Sequence, residues 1–265
     1  MQTKKKHSAL KVIIIFAVYV VISLILQMPP FVIIGNKIYC TYRTELRLNC
    51  DDSKFTNNNI HSIKYMRFLK KLNIDAGVGS DLTDGSFLND LPNLEQLIYM
   101  GHTDHHIEDW SPLNNCKKLE VFWGGMLEMD NLSCFKGLSN IKELSLEFIG
   151  GTDFFKVSDL SELEGLTNIE NFTVRGYYLS DISALDNLTT LKSLSIIDSK
   201  VSDISAVEYL SELEYLSIES SVPISDYSVV FKLPKLKKLS VAKGALTEKE
   251  ISALKEKGIT VFEDQ

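Results

Sequence analysis

Three of the five histidines in the chain fall between positions 102 and 106. His102, Asp104, His105, His106, Glu108 and Asp109 lie within a span of eight residues. Imidazole nitrogens and carboxylate oxygens are the donors that zinc and other divalent ions take. The spacing matches no metal motif, and a solvated turn explains the same residues. Such a turn would also be pH-responsive, because histidine titrates near neutrality. No metal and no cofactor is expected. A metal-dependent enzyme or sensor on this turn stands as an alternative.

The other reactive side chains point to packing. Cys40 and Cys50 are close enough in sequence to close a short loop by a disulfide, or to remain free thiols. Cys116 and Cys134 occupy positions that read as core. The chain contains no GxSxG, P-loop, GxGxxG or HExxH string. Paired-carboxylate hydrolysis needs a deep pocket, which a shallow repeat face rarely provides. Catalysis is therefore not expected.

These residues must be held by two very different regions. The 265 residues carry 28 Lys+Arg against 35 Asp+Glu, a net charge of −7, with 45% hydrophobic content. That composition excludes wholesale disorder and a disulfide-dense scaffold. Lys4, Lys5, Lys6 and Lys11 open the chain, and every acid lies beyond residue 30. There the remaining 24 bases face 35 acids, a balance of −11. Such a surface does not suit nucleic acid.

Val12 to Leu26 reads VIIIFAVYVVISLIL, with Ser23 its only polar member, and Met28 extends the run up to Pro29-Pro30. A helix over residues 12–28 would rise about 25 Å, at the low end of a bilayer span. The lysines place the N-terminus in the cytoplasm. A cleaved signal peptide shares the lysine-then-apolar order, though Gln27-Met28-Pro29-Pro30 lacks small cleavage-site residues. A buried core helix would require a polar face, which the run lacks.

Beyond it the sequence repeats. Leu185-Asp186-Asn187-Leu188-Thr189-Thr190-Leu191-Lys192-Ser193-Leu194-Ser195-Ile196 is echoed 22 residues later by Val207 to Ile218. Both fit LxxLxxLxxLxL. Strand starts follow at Leu46, Leu72, Leu97, Phe122, Leu144, Phe172, Leu194, Leu216 and Leu239, with Phe262 ending the series. A second column keeps step: Asp or Asn two residues before Ser, at 84/86, 109/111, 131/133, 159/161, 181/183, 203/205 and 226/228. Such a side chain can cap a short helical turn. Neither face of one unit can be buried alone, so the units must stack into a solenoid.

These motifs resemble the leucine-rich repeat family. The 22-residue copies with Ser180-Asp181-Ile182-Ser183 and Ser202-Asp203-Ile204-Ser205 resemble the bacterial internalin type. The resemblance covers roughly residues 44–262. It implies an α/β solenoid with a parallel sheet on the concave face, short helical or 3₁₀ returns on the convex face, and protein binding. The family's Asn ladder is largely missing: its positions hold Asp51, Gly77, His102, Ile149, Tyr177, Ser199, Ser221 and Gly244. Repeat lengths wander before residue 165, so a regular horseshoe is expected mainly over 166–245.

The expected layout is a basic tail over 1–11, a transmembrane anchor over 12–28 and a linker with N-terminal cap over 29–45. Repeats follow over 46–245 and a C-terminal cap over 246–265. In that cap Thr247 and Glu250 form a capping box, Gly258 stops the helix, and Ile259–Phe262 adds a strand.

On each strand the residues between the leucines face the concave side. Ile98, Met100, Val121 and Trp123 then form an apolar patch on a face that should be wet, the usual look of a protein-binding anchor. In another register the same four would be core. Arg175 and Tyr215 complete the candidate set. Ser145, Thr173, Ser195, Ser217 and Ser240 form either a hydrogen-bonding groove or a column that merely tolerates exposure. Phe154 and Phe155, beside Gly150-Gly151, sit on a loop that could touch a partner. The expected partners are another protein and, through the anchor, a membrane. A repeat protein that organises the envelope without a dedicated ligand is the alternative.

Overall fold

The computed structural model describes residues 2–77, 80–102, 106–147 and 156–264. The Gly150-Gly151 loop with Phe154 and Phe155 lies outside the described residues, as do Asp104, His105 and Ile149.

Helix α1 (Gln2–Leu26) leads into an antiparallel hairpin, β1 (Phe31–Ile34) and β2 (Lys37–Cys40). The solenoid sheet follows. Its strands are β3 (Glu45–Asn49), β4 (Lys71–Asp75), β5 (Gln96–Met100), β6 (Val121–Gly125), β7 (Glu143–Glu147), β8 (Asn171–Arg175), β9 (Ser193–Ser199), β10 (Tyr215–Ser220), β11 (Lys238–Ala242) and β12 (Thr260–Asp264). They pair in sequence order in one ten-stranded sheet, parallel throughout. Short helices α2 (Cys50–Ser53) and α3 (Asn57–Ile60) follow β3, and α4 (Glu248–Glu256) precedes β12.

Alternation explains the core. On β9 Leu194 and Ile196 are buried while Ser193 and Ser195 are half-buried. The three leucines of the approach, Leu185, Leu188 and Leu191, close the same layer at 0% exposure. Burying one such side chain stabilises by about 1.5–3 kcal/mol, and each repeat contributes several. The returns are 3₁₀ turns, and all seven Asp/Asn-x-Ser pairs cap them. The carboxylate or amide oxygen accepts the Ser backbone N–H at 2.7–3.1 Å in every copy.

Two expectations are corrected. The irregular repeats before residue 165 do not break the sheet. Leu46, Leu72, Leu97, Phe122, Leu144, Phe172, Leu194, Leu216 and Leu239 pair in one unbroken row, so the extra residues are taken up in the returns. The row ends on Val261 and not on Phe262. Phe262 pairs with Ser240 and is 47% exposed, because the helix stop at Gly258 (φ +83°) brings the chain into β12 one residue earlier than the repeat spacing implies. There Ile259 N–H donates to the Leu254 carbonyl and Gly258 N–H to the Lys255 carbonyl, the paired bonds of a Schellman stop. The Thr247–Glu250 capping box forms as expected.

Among the described residues, no helix is long and apolar enough to cross a membrane. The helix ends at Leu26, and Gln27 turns the chain at φ +53°. Its apolar stretch from Val12, interrupted by Ser23 alone, covers about 22 Å at 1.5 Å per residue, short of a bilayer core of about 30 Å. Val12, Ile13, Ile14, Ile15, Phe16, Val18, Val21, Leu24 and Ile25 are nonetheless more than half exposed.

Candidate protein-binding face

The central outward column of the sheet runs Arg47, Asn73, Ile98, Trp123, Ser145, Thr173, Ser195, Ser217, Ser240 and Phe262, each the Cα partner of the next. Ile98 and Trp123 are therefore direct neighbours on β5 and β6. Trp123 is 44% and Met100 42% exposed, while Ile98 and Val121 are half-buried. The inward residues of these strands, Leu97, Tyr99 and Phe122, are core, so the register is the one that turns the four apolar residues outward.

Two glycines shape the patch. A Cβ at Gly125 would stand 2.6 Å from the Met100 Sδ, and one at Gly124 would stand 2.6 Å from Leu127. Met100, the Cα partner of Gly125, thus lies in the space a side chain there would fill. Behind the patch a chain of edge-on rings fills the core. Tyr99–Trp110, Trp110–Phe122 and Phe122–Phe135 have centroids 5.0, 5.6 and 5.1 Å apart, a geometry favoured by the ring quadrupole. Burial pushes the Tyr99 phenol well above its ordinary range, and its oxygen accepts the Ile107 N–H at 3.3 Å.

Beside the indole is a recess of about 160 Å³ lined by Trp123, Glu143, Ser145, Glu147, Asn171 and Thr173. Ser145 Oγ donates to Glu147 at 3.1 Å, which holds that carboxylate at its rim. An exposed aromatic face flanked by two carboxylates suits an apolar side chain with a cationic end.

The remaining candidates stand apart. Arg175, on β8, pairs with Asp198, which adopts φ +51°. Tyr215, on β10, is half-buried between Ser193 and Lys238. At about 4.8 Å per strand they lie roughly 10 and 19 Å from Trp123.

Of the histidine turn, His106 and Asp109 are already engaged. His106 pairs with Glu128, and Asp109 caps Ser111. Among the described residues, no group of three His, Cys, Asp or Glu could hold a metal ion. All four cysteines are free, so the Cys40–Cys50 bond is not made. Burial raises the Cys116 thiol to about 12 and raises Cys134 further, which makes both inert packing groups.

Two side-chain ladders were not anticipated. Two residues before each strand's first inward position, charges pair across neighbouring repeats as Lys70–Glu95, Glu120–Lys142, Glu170–Lys192 and Glu214–Lys237, at 2.7–2.9 Å. The signal was present as a column of Lys and Glu that alternates from Glu120 to Lys237. On the approach, Asn93, Asn140 and Asn168 amides and the Thr190 hydroxyl donate to backbone carbonyls of the preceding repeat at 2.8–3.0 Å. They stitch repeats together where the family's usual ladder position is vacant. At that position Ser199 is fully buried, and its carbonyl accepts the Ser221 hydroxyl at 2.8 Å.

The ten-stranded parallel sheet with capped 3₁₀ returns defines a leucine-rich repeat solenoid. No protein-family model and no curated protein matches the chain. Solved structures do. An internalin (InlF) from Listeria monocytogenes superposes with a TM-score of 0.62 at 20% identity, over 78% of this chain and 64% of that one. Internalin C2 (InlC2) from the same species gives 0.54 at 23% identity, over 68% and 73%. These likenesses establish an internalin-like leucine-rich repeat fold. The chain spans somewhat less than two thirds of the InlF structure.

Proposed function

We propose that the chain is a membrane-tethered module that binds another protein through its concave face, centred on Ile98, Met100, Val121 and Trp123. The observation that carries this reading is the half-exposed Trp123 beside Met100 and Ile98, on a column that is otherwise small and hydroxylic from Ser145 to Ser240. Large exposed apolar groups concentrate binding energy at interfaces. Glu143 and Glu147 beside the indole, together with the acidic balance of the domain, favour a partner patch bearing Lys or Arg. Arg175 and Tyr215 then act as outlying contacts.

The tether is α1. Its exposed apolar stretch is too long a patch to leave in water. Because the stretch is shorter than a bilayer core, insertion requires local thinning, with Lys11 snorkelling to the headgroups. The lysine-rich start lies on the cytoplasmic side and the repeat domain outside. A membrane-impermeant amine reagent on intact cells should label the repeat domain; labelling only after lysis would sink that orientation.

The binding reading is tested by immobilising the chain, capturing surface proteins from its source, and measuring affinity for the captured partner. Trp123→Ala should weaken capture by about 30-fold, the roughly 2 kcal/mol of an interface anchor. Ser217→Ala should leave it unchanged. Equal capture by the two variants would displace the site.

A further inference from the structure

The N-terminal hairpin has two apolar faces, where a solenoid cap needs one. Val32, Ile34 and Tyr39 point into the core. Phe31, Ile33 and Ile38 point the other way and are 42, 60 and 70% exposed. A water-facing antiparallel pair alternates apolar inside with polar outside. The strands of the solenoid follow that rule at Glu143, Ser145, Ser193, Ser195 and Lys238, and the hairpin breaks it.

This second face is continuous with α1. The Phe16 ring stacks on Phe31 with centroids 6.3 Å apart. Beside it, Tyr19, Tyr42 and Phe68 follow one another at 5.2 and 6.2 Å, and Phe68 is 45% exposed. The Ser23 and Tyr42 hydroxyls are bonded at 2.7 Å, which gives the polar group of the apolar helix a partner on the cap. Arg67 donates to the Leu26 carbonyl, and the Arg43 guanidinium lies over the Tyr39 ring. Helix and hairpin therefore form one apolar surface. Tyr19, Tyr42 and the basic Arg67 rim it. Tyrosine and basic side chains around an apolar surface are the composition of a membrane–water interface.

We propose that the outer face of the β1–β2 hairpin enters the same lipid interface as α1, so that the cap lies in the bilayer surface and not above it. The inference rests on the tether reading and deepens it. Lipid is the occupant because the face is continuous with the helix that the tether reading places in lipid. The hairpin also supplies apolar surface that the short run of α1 lacks. Its consequence is mechanical. A helix alone leaves the solenoid free to swivel, whereas helix and hairpin together hold the concave face at one angle to the membrane.

The test uses the full chain carrying Cys40→Ser with a fluorophore on Ile38→Cys, or on Tyr209→Cys as a control at an exposed return far along the solenoid. Each is mixed with vesicles of phosphatidylcholine and phosphatidylglycerol whose acyl chains are brominated. Flotation of the protein with the vesicles, with quenching at position 38 and none at 209, supports the proposal. Flotation without quenching at 38 overturns it and leaves the tether standing. Failure to float overturns both. A label at 38 that is shielded without vesicles, with cross-links between two copies, assigns the face to self-association and overturns the proposal. As a second reading, Phe31→Ser, Ile33→Ser and Ile38→Ser together should weaken vesicle partitioning by at least about tenfold at an unchanged melting temperature, since each removes apolar surface from the lipid-facing side.

Discussion

The two halves of the solenoid reach the same sheet by different means. From β3 to β7 the repeats vary in length, and the layers behind the strands are filled by rings: Tyr99, Trp110, Phe122 and Phe135 in edge contact. From β8 to β11 the repeats are nearly uniform, and aliphatic side chains such as Leu188, Leu191, Leu194 and Ile196 fill the same layers. The outward faces differ in parallel. The first half shows Ile98, Met100 and Trp123; the second shows Thr173, Ser195 and Ser217, with Ser240 of the same column buried. The half with irregular returns thus also carries the chemically distinctive surface, whereas the uniform half serves as a stiff extension.

That contrast can be broken most forcefully in the core. Phe122→Ala should cost about 4 kcal/mol and Leu194→Ala about 3 kcal/mol, because the ring loses two edge contacts in addition to its buried area. Urea unfolding midpoints at equal m-value check the order; a larger loss at Leu194 would show that the ring chain does not hold the first half.

The caps come next and are shared by both halves. Asp159→Ala should cost about 1 kcal/mol, the size of a lost helix cap, while Asp159→Asn should be nearly neutral because Asn131 already performs the same task. Thermal melts of the pair separate the cap from the charge.

Acid should loosen the two halves together. The Ser86, Ser161, Ser205 and Ser228 groups donate to Asp84, Asp159, Asp203 and Asp226 and hold these carboxyls below their ordinary range. Their contribution is complete above the unfolded carboxyl value of about 3.9 and is lost as pH falls through the lower folded values. Replacing all four by Asn should flatten the stability profile below about pH 4. An unchanged acid limb would assign acid sensitivity to other groups.

The smallest effect belongs to the charge ladder. Lys192→Ala removes a half-exposed ion pair with Glu170, and exposed pairs are screened by salt. The denaturation midpoint should shift within measurement scatter and not at all in high salt; a large, salt-resistant loss would make the ladder a structural spine.

The repeats were legible because each position does one job many times over. Seven Asp/Asn-x-Ser pairs and nine strand starts reinforce one another, so a degenerate copy such as the one at Cys116 and Phe122 is placed by its neighbours. The exposure of Trp123 followed from that register alone. What lacked repetition was not legible. Gly258 was legible as the helix stop, but no column announced that the stop turns Val261 inward in place of Phe262. Packing of Met100 over Gly125 and the engagement of His106 by Glu128 join residues that occur once, in contacts that close only when neighbouring repeats stack. The separation of Arg175 and Tyr215 from the patch likewise needed the sheet order.

By itself the sequence determined the stacking unit, its strand register and its capped returns, because hydrophobic period and capping chemistry are local and recur in each copy. The tertiary structure alone decided how the singular N-terminal segments meet. A fifteen-residue run with Ser23 as its only polar member reads as a span, yet its fate depends on what packs beside it and on length against a bilayer. Only in three dimensions do Phe16 meet Phe31 and Ser23 meet Tyr42, joining helix and hairpin into one apolar surface, since those contacts cross the turn at Gln27 and have no counterpart elsewhere in the chain.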